Sequence, residues 1–406
     1  MIGKNVVLYV SVVYIVIFIV WRVFQRRLEN PLILNDVINK YQVDIIVNGS
    51  RPQDIILNNA KFISILVKNP ALTFGEGYMN KDWDTRDLYA TLNAVLSSPL
   101  YRSSDNTTFL NKLVATLWNM QNISLSKRVA EQHYDVGNDL YFAMLDPYLQ
   151  YSCAYWSPGV KTLEEAQEAK LKLICEKLEL KPNMRVVDIG CGWGGLMAFM
   201  RKYYGVKPIG LTLSKEQIAL GKKRFPENEF ILMDYRVFCK KNENKGKYNR
   251  IVSVGMFEHV GYKNYDEFFA CCSSILKPDG HMVLHTIGGK KSMKKGNDWL
   301  DKYIFPGGML PSVKQIGNAI EGRFYLEDWQ NFGPYYALTL QEWNKRSKRF
   351  FSETQNPKYN EAFRRMWEFY LVSCQIGFEK RDLQLWQLVL KPFQAETGVY
   401  HRKGCD

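Results

Sequence analysis

The chain of 406 residues is long enough for about two to three domains. With 46% hydrophobic and 14% aromatic residues it can bury a full core, which excludes wholesale disorder. A formal net charge of +13 favours an anionic partner, either nucleic acid or an acidic membrane surface. The eight cysteines include no C-x-x-C pair, so neither a zinc ribbon nor a thioredoxin-like site is supported, and their scatter reads as reduced, buried thiols.

Residues 6–21 are apolar except for Ser11. At about 1.5 Å per residue this run spans roughly 24 Å, short of a hydrocarbon core of roughly 30 Å, and Lys4 and Arg22 can snorkel to close the gap. Arg22, Arg26 and Arg27 follow in place of a small-residue cleavage site and outweigh Lys4. Residues 1–27 are therefore expected to be an uncleaved membrane anchor with the bulk of the chain in the cytoplasm, a cleaved signal or a buried helix being the rival readings. Residues 28–125 read as a small accessory domain. Within it 41–47 alternates weakly as a strand would, Asn48-Gly-Ser is turn-like, and a helical pattern covers 87–96.

From residue 126 the texture changes. His133-Tyr-Asp-Val-Gly-Asn-Asp and Gln150-Tyr-Ser-Cys-Ala-Tyr-Trp are dense in aromatic residues, which suits packing beneath a sheet as well as binding. Residues 162–180 form an amphipathic helix that Thr162 can cap, with Glu164 and Glu165 in its first turn and Lys177 near its end. Next comes Arg185-Val-Val-Asp-Ile-Gly-Cys-Gly-Trp-Gly-Gly-Leu. Val186, Val187 and Ile189 suit a buried parallel strand, the glycines end it, and Leu196, Phe199, Met200 and Tyr203 recur at helical spacing. Such a turn brings a ligand to the backbone beside a helix N-terminus. Gly190, Gly192 and Gly195 satisfy the G-x-G-x-x-G dinucleotide fingerprint, a weak pattern by itself. Asp188 suits a ligand with a cationic end better than a pyrophosphate, and no Asp or Glu ends the second strand, residues 206–213, where a dinucleotide ribose would need one. S-adenosylmethionine is the expected ligand, with a dinucleotide and a purely structural turn as alternatives.

Strands are expected at 230–233, 250–256 and 281–287, with helices after Ser214 and over 264–276 and a turn at Lys277-Pro-Asp-Gly280. Alternating strands and helices mean a parallel, doubly wound sheet whose ligands bind outside the carboxyl ends of the strands. That rule selects Gly190–Gly194, Thr212–Gln217, Asp234, Tyr235, Glu258 and His285–Ile287 as the lining of one crevice. Lys290, Lys291, Lys294 and Lys295 read either as a solvated loop or as a contact with anionic headgroups. The aromatic stretch 300–350 follows strand five, where an insertion would cover the crevice. The final 50 or so residues look helical, with 383–390 as a terminal strand.

With these residues in hand, the chain resembles the cyclopropane-fatty-acyl-phospholipid synthase family, which includes the mycolic acid cyclopropane synthases, from about residue 40 to about residue 395. The motifs that carry the likeness are His133-Tyr-Asp-x-Gly-Asn-Asp, Gln150-Tyr-Ser-Cys-Ala-Tyr-Trp, Asp188-Ile-Gly-Cys-Gly-Trp-Gly-Gly, Ser253-Val-Gly-Met-Phe-Glu-His-Val-Gly, His285-Thr-Ile-Gly and Glu327-Asp-Trp-x-Asn-Phe-Gly. The hydrophobic N-terminal run departs from the soluble bacterial members. The resemblance implies a class I S-adenosylmethionine methyltransferase fold over 126–406, Rossmann-like and α/β with a doubly wound, mostly parallel sheet, a lipid-covering insertion and the small N-terminal accessory domain.

The resemblance also implies a reaction. A methylene group passes from S-adenosylmethionine to the cis double bond of an unsaturated acyl chain in a membrane phospholipid, through a carbocation whose proton loss closes a cyclopropane ring. Bicarbonate serves as the base, and Cys153, Glu258, His285 and Tyr336, with the backbone of Ile287, fall at the positions that hold it. Tyr134, Tyr151, Ser152, Gly190, Gly192, Thr212, Leu213 and Gln217 fall around S-adenosylmethionine, with Asp234 and Tyr235 near the adenine. Asp188 and Gly194 join them from the strand-and-turn reading, and no metal is implied. A buried anion needs donors, which His285, Tyr336 and backbone N–H groups can supply, whereas an ionised Glu258 can only accept. The faces of Tyr151, Tyr155 and Tyr303 suit a passing cation. The expected partner is a phospholipid bilayer and not nucleic acid, because Gly255-Met-Phe-Glu is not the Asp/Asn-Pro-Pro-Tyr/Phe motif of a base methyltransferase. Methylation without ring closure is the alternative chemistry, and a homodimer stays open.

Overall fold

The computed structural model describes residues 31–66, 69–99, 137–394 and 399–402. The expected anchor over 1–27 and the candidate residue Tyr134 lie outside them. Among the described residues no helix is long and apolar enough to cross a membrane.

The described residues group into two units. In the first, α1 (Pro31–Lys40), β1 (Ile55–Leu57), α2 (Lys61–Leu66), α3 (Pro70–Met79), β2 (Trp83–Thr85) and α4 (Leu88–Ser97) follow in order. Strand β1 pairs antiparallel with β2, Ile55 facing Thr85. The expected helix at 87–96 is α4, which Asp87 caps by accepting the Ala90 N–H. The expected strand at 41–47 does not form. Gln42 and Asn48 adopt left-handed φ of 50° and 59°, which interrupts an extended run at both ends, and Val47 makes only an isolated bridge to Ile55. Trp83 is fully buried, stacks on Phe74 with ring centroids 4.4 Å apart, and donates its indole N–H to the Phe74 carbonyl at 2.8 Å. Residues Asn356–Ser373 also belong to this unit, although the sequence reading counts them with the catalytic domain. The Arg365 guanidinium lies 3.7 Å from the Tyr78 ring centroid, and Phe369 packs edge-on against Phe74.

The second unit carries the larger sheet. Its elements are α5 (Asn138–Met144), α6 (Leu163–Lys177), β3 (Arg185–Ile189), α7 (Gly195–Tyr204), β4 (Lys207–Thr212), α8 (Lys215–Arg224), β5 (Glu229–Leu232), α9 (Tyr235–Lys240), β6 (Tyr248–Val254), α10 (Tyr265–Ile275), β7 (Leu276–Gly289), α11 (Asp298–Tyr303), α12 (Val313–Ile320), β8 (Phe324–Asn331), α13 (Pro334–Glu353) and β9 (Leu383–Pro392). Helix α14 (Glu361–Glu379) is counted with the first unit as far as Ser373. The strand order is β5-β4-β3-β6-β7-β9-β8. Strands β3 to β7 pair in parallel, and β9 runs antiparallel between β7 and β8. This is the expected doubly wound, mostly parallel α/β sheet. Its topological switch lies at β3, flanked by β4 and β6, which fixes the crevice at the carboxyl end of β3.

Alternation along the strands builds a core on each face. Val187 packs with Ile251, Phe257, Phe268 and Leu388, and Val186 packs with Met197, Val252, Val283 and Val389. Thr162 and Glu165 close a capping box at the start of α6. Three details depart from the sequence reading. Lys277–Gly280 is no free turn but an irregularity within β7, where the pairing skips from Tyr248–Leu276 to Arg250–His281. Part of the expected crevice cover, Phe324–Asn331, is the edge strand β8; a bulge between Leu326 and Asp328 and the charges of Glu327 and Asp328 hide its alternation. Finally, Cys239 and Cys271 are joined in a disulfide with Cα atoms 5.5 Å apart, so the reading of all eight cysteines as reduced thiols fails for this pair. They sit on the neighbouring helices α9 and α10, 32 residues apart in the chain, a proximity that spacing could not reveal.

Candidate active site

At the end of β3 the backbone turns through Gly190, Gly192 and Gly194, all with positive φ. The three serve different ends. A Cβ on Gly190 would lie 2.5 Å from Met256 Cγ, and one on Gly194 would lie 2.5 Å from Phe230 Cζ, so packing demands both glycines. A Cβ on Gly192 would meet nothing within 4 Å, so packing does not demand this glycine and the backbone there faces open space. Asp188, just before the turn, is buried; desolvation pushes its carboxyl up to about 7 although the Lys170 ammonium opposes the shift.

The Gln150–Trp156 segment is held from two helices. From α6, Gln167 donates to the carbonyls of Gln150 and Ser152 at 3.3 and 2.9 Å, and Lys170 Nζ donates to Gln150 Oε1 and Ser152 Oγ at 2.7 and 2.9 Å. From α13, Thr339 Oγ1 accepts the Ala154 N–H at 3.1 Å and the Trp156 indole N–H at 3.0 Å. Tyr151 packs between Tyr141 and Trp343, with centroids 5.2 and 5.1 Å away. Cys153 is fully buried, and desolvation raises its thiol well above the usual value, so it is neutral.

On the other side, Glu258 follows β6 in a short 3₁₀ turn, Phe257–His259. Its Oε1 accepts the Ile287 N–H at 2.6 Å, while Oε2 is buried without a partner. The Ile287 backbone thus engages Glu258 itself. Burial pushes the Glu258 carboxyl up to about 7 against that hydrogen bond. His285, near the end of β7, is buried with Nδ1 3.1 Å from Gln387 Nε2 on β9. An amide N–H can only donate, so Nδ1 accepts and the ring proton sits on Nε2, which is buried without a partner. Burial, reinforced by the positive charges of Lys170 and Lys177, pushes His285 well below its ordinary value, so the ring is neutral. Tyr336, in the first turn of α13, is buried, and its phenol is pushed well up by desolvation and then by the nearness of Cys153, Glu258 and Cys374. Cys153 and Glu258 thus lie within electrostatic reach of Tyr336, and Lys170 within reach of Cys153, Asp188 and His285.

The remaining cofactor candidates divide. Thr212 Oγ1 donates to Gln217 Oε1 at 2.8 Å and accepts the Ser214 N–H at 3.2 Å; Leu213 is half-buried between them. Asp234 is clamped by Arg236, whose Nε and NH2 donate to its two oxygens at 2.8 and 2.7 Å. Tyr235 packs T-shaped on Phe268 with centroids 5.3 Å apart, as part of the core cluster on that face of the sheet. Lys170 and Gln387 were missed by the sequence reading. Each left a signal: Lys170 stands four residues from Ala166 and from Ile174 on the buried stripe of α6, and Gln387 interrupts the apolar run of β9. Among the described residues no cluster of three His, Cys, Asp or Glu side chains could hold a metal ion.

Over residues 122–388 the sequence matches the family described as mycolic acid cyclopropane synthetase. It is 44% identical over 363 residues to the cyclopropane-fatty-acyl-phospholipid synthase of Escherichia coli K12, covering 88% of this chain and 92% of that protein. The structure of the cyclopropane synthase MmaA2 from Mycobacterium tuberculosis superposes with a TM-score of 0.59 at 34% identity, over 65% of this chain and 97% of that one. The mycolic acid cyclopropane synthase CmaA1 complexed with SAH and CTAB gives 0.58 at 31% identity, over 65% and 97%. Matched in this way along most of its length, with the glycine turn and the switch-point crevice where a class I fold needs them, the chain belongs to the mycolic acid cyclopropane synthetase family of S-adenosylmethionine-dependent methyltransferases.

Proposed function

We propose that this enzyme forms cyclopropane rings in the unsaturated acyl chains of membrane phospholipids, with the carbon coming from S-adenosylmethionine, and that Cys153, Glu258, His285 and Tyr336 hold a bicarbonate ion beside the reacting carbon. The observation that carries the anion is a pair of orphaned buried atoms, His285 Nε2 and Glu258 Oε2. A neutral imidazole N–H is a donor in want of an acceptor, and a carboxyl raised to about 7 holds a proton much of the time near neutral pH, so Oε2–H can donate as well. Tyr336 adds a phenolic donor, and the neutral Cys153 thiol a weak one.

S-adenosylmethionine supplies the methyl that the alkene takes up, and bicarbonate the base for the proton that ring closure releases. The chain's own part is to fix the donors, exclude water and keep the histidine tautomer through Gln387. The name of the Escherichia coli relative supports a phospholipid substrate, and the arginine-flanked apolar run at 6–21 supports a membrane anchor with a cytoplasmic catalytic unit.

Expression in a host that lacks cyclopropanes, followed by mass spectrometry of its lipids, tests the reading. The expected result is a gain of one CH₂ on monounsaturated chains in a product that resists hydrogenation, with the full chain in the membrane fraction and a chain starting at Leu28 released from it. Purified enzyme in carbon-dioxide-depleted buffer is expected to slow and to recover on adding bicarbonate. A product that still takes up hydrogen would point to methylation without ring closure, and a rate indifferent to verified depletion would remove the bicarbonate.

A further inference from the structure

Lys170 is fully buried, and a buried ammonium persists only where its donors and charge are answered. Two of its donors go to the neutral acceptors Gln150 Oε1 and Ser152 Oγ, and Asp146, Asp188 and Cys153 feel its charge. Holding the segment is already the work of Gln167, which donates to the backbone of both Gln150 and Ser152. What Lys170 adds is control of the Ser152 hydroxyl. An oxygen that accepts from an ammonium has its own hydrogen left to donate elsewhere.

Ser152 borders the open end of β6, since a Cβ on Gly255 would meet Ser152 Cβ at 4.0 Å and no other atom within that distance. Asp188 is the last residue but one of β3, just before the turn whose Gly192 faces open space. A buried cation and a buried carboxylate, coupled to each other, thus stand beside two gaps in the packing. That is the complement of a zwitterion.

We infer that Lys170 is a positioning residue for the amino-acid end of S-adenosylmethionine: it turns the Ser152 hydroxyl toward the cofactor's α-carboxylate and sets a positive charge behind it, while Asp188 answers the cofactor's cationic groups. This rests on S-adenosylmethionine as the cofactor. Burial lowers Lys170 to about 8, which leaves it mostly protonated at neutral pH.

Calorimetry with two ligands tests it. S-adenosylhomocysteine carries the amino-acid end, and 5′-methylthioadenosine has the same nucleoside and thioether without it. Lys170→Met, which keeps the unbranched stem, is expected to weaken S-adenosylhomocysteine by about 10- to 100-fold while changing methylthioadenosine by no more than about twofold. Equal losses for both ligands would mean a merely structural lysine, and no loss for either an idle one; each overturns the inference. Ser152→Ala, measured in parallel with Lys170 left in place, is expected to show the same selective loss and decides the question if Lys170→Met does not fold. Wild-type enzyme that binds neither ligand would overturn the cofactor instead.

Discussion

The two rims of the crevice treat their polar side chains in opposite ways. Along the ends of β4 and β5 they satisfy one another: Thr212 donates to Gln217, and Arg236 clamps both oxygens of Asp234. Along the ends of β6 and β7 they do not, since Glu258 Oε2 and His285 Nε2 are buried without partners. A buried polar atom left unmade costs about 1–3 kcal/mol, so the second rim carries a cost that a bound anion would relieve. The first rim is held by its own residues; the second leaves two buried polar atoms unanswered by the chain, which is what the proposed anion site requires.

Three substitutions press on that contrast. The largest effect is expected for Gly192→Val, which forces a branched side chain into a left-handed conformation, φ +55°, and fills the open space at the glycine turn. Cofactor binding should be abolished with the fold retained, and calorimetry showing wild-type affinity would mean that this gap is not the ligand's. Next comes Arg236→Met. It leaves Asp234 buried beside no guanidinium, and breaking a buried pair costs about 3–5 kcal/mol. A melting temperature equal to wild type would show that the first rim is not self-supporting.

The smallest effect is expected for Glu258→Gln, with turnover falling about five- to 150-fold and little change in S-adenosylmethionine affinity. Here pH sharpens the comparison. The carboxyl's ordinary value is 4.5 and folding raises it to about 7, so the native state holds the proton more tightly and loses stability as pH rises between those values. Wild type is therefore expected to lose about 1–3 kcal/mol relative to Glu258→Gln between about pH 5 and about pH 8. Asp188, raised for the same reason, is present in both proteins and cancels. Parallel stability curves from denaturant titrations would contradict a buried, unanswered carboxyl.

Much of this was legible in the chain. The Val186–Ile189 run, the glycines behind it and the Thr162 capping box give local signals strong enough to place a strand, a turn and a helix, and the switch-point rule then selects the crevice. Asp188, Glu258 and His285 follow because they stand at or just past strand ends. What was illegible depends on tertiary contact. Tyr235 stands three residues past the end of β5, and the packing of its ring on Phe268 is a contact that no sequence pattern shows. Strand β8 lacks clean alternation because only one of its edges is paired and a bulge breaks its register. Gln387 and Lys170 look like ordinary polar residues until the fold lays one beside His285 and the other beside Ser152.

Strand β9 carries a consequence for how the enzyme comes into being. It enters the sheet between β7 and β8, and its Gln387 pairs opposite His285, more than about 100 residues earlier in the chain. During synthesis from the N-terminus, strands β3 to β7 can assemble in order, but His285 has no partner on Nδ1 and the sheet no seventh strand until Pro392 has left the ribosome. The glycine turn after β3 can therefore form while His285 still lacks its Gln387 partner, so the two sides of the crevice are completed at different times in synthesis.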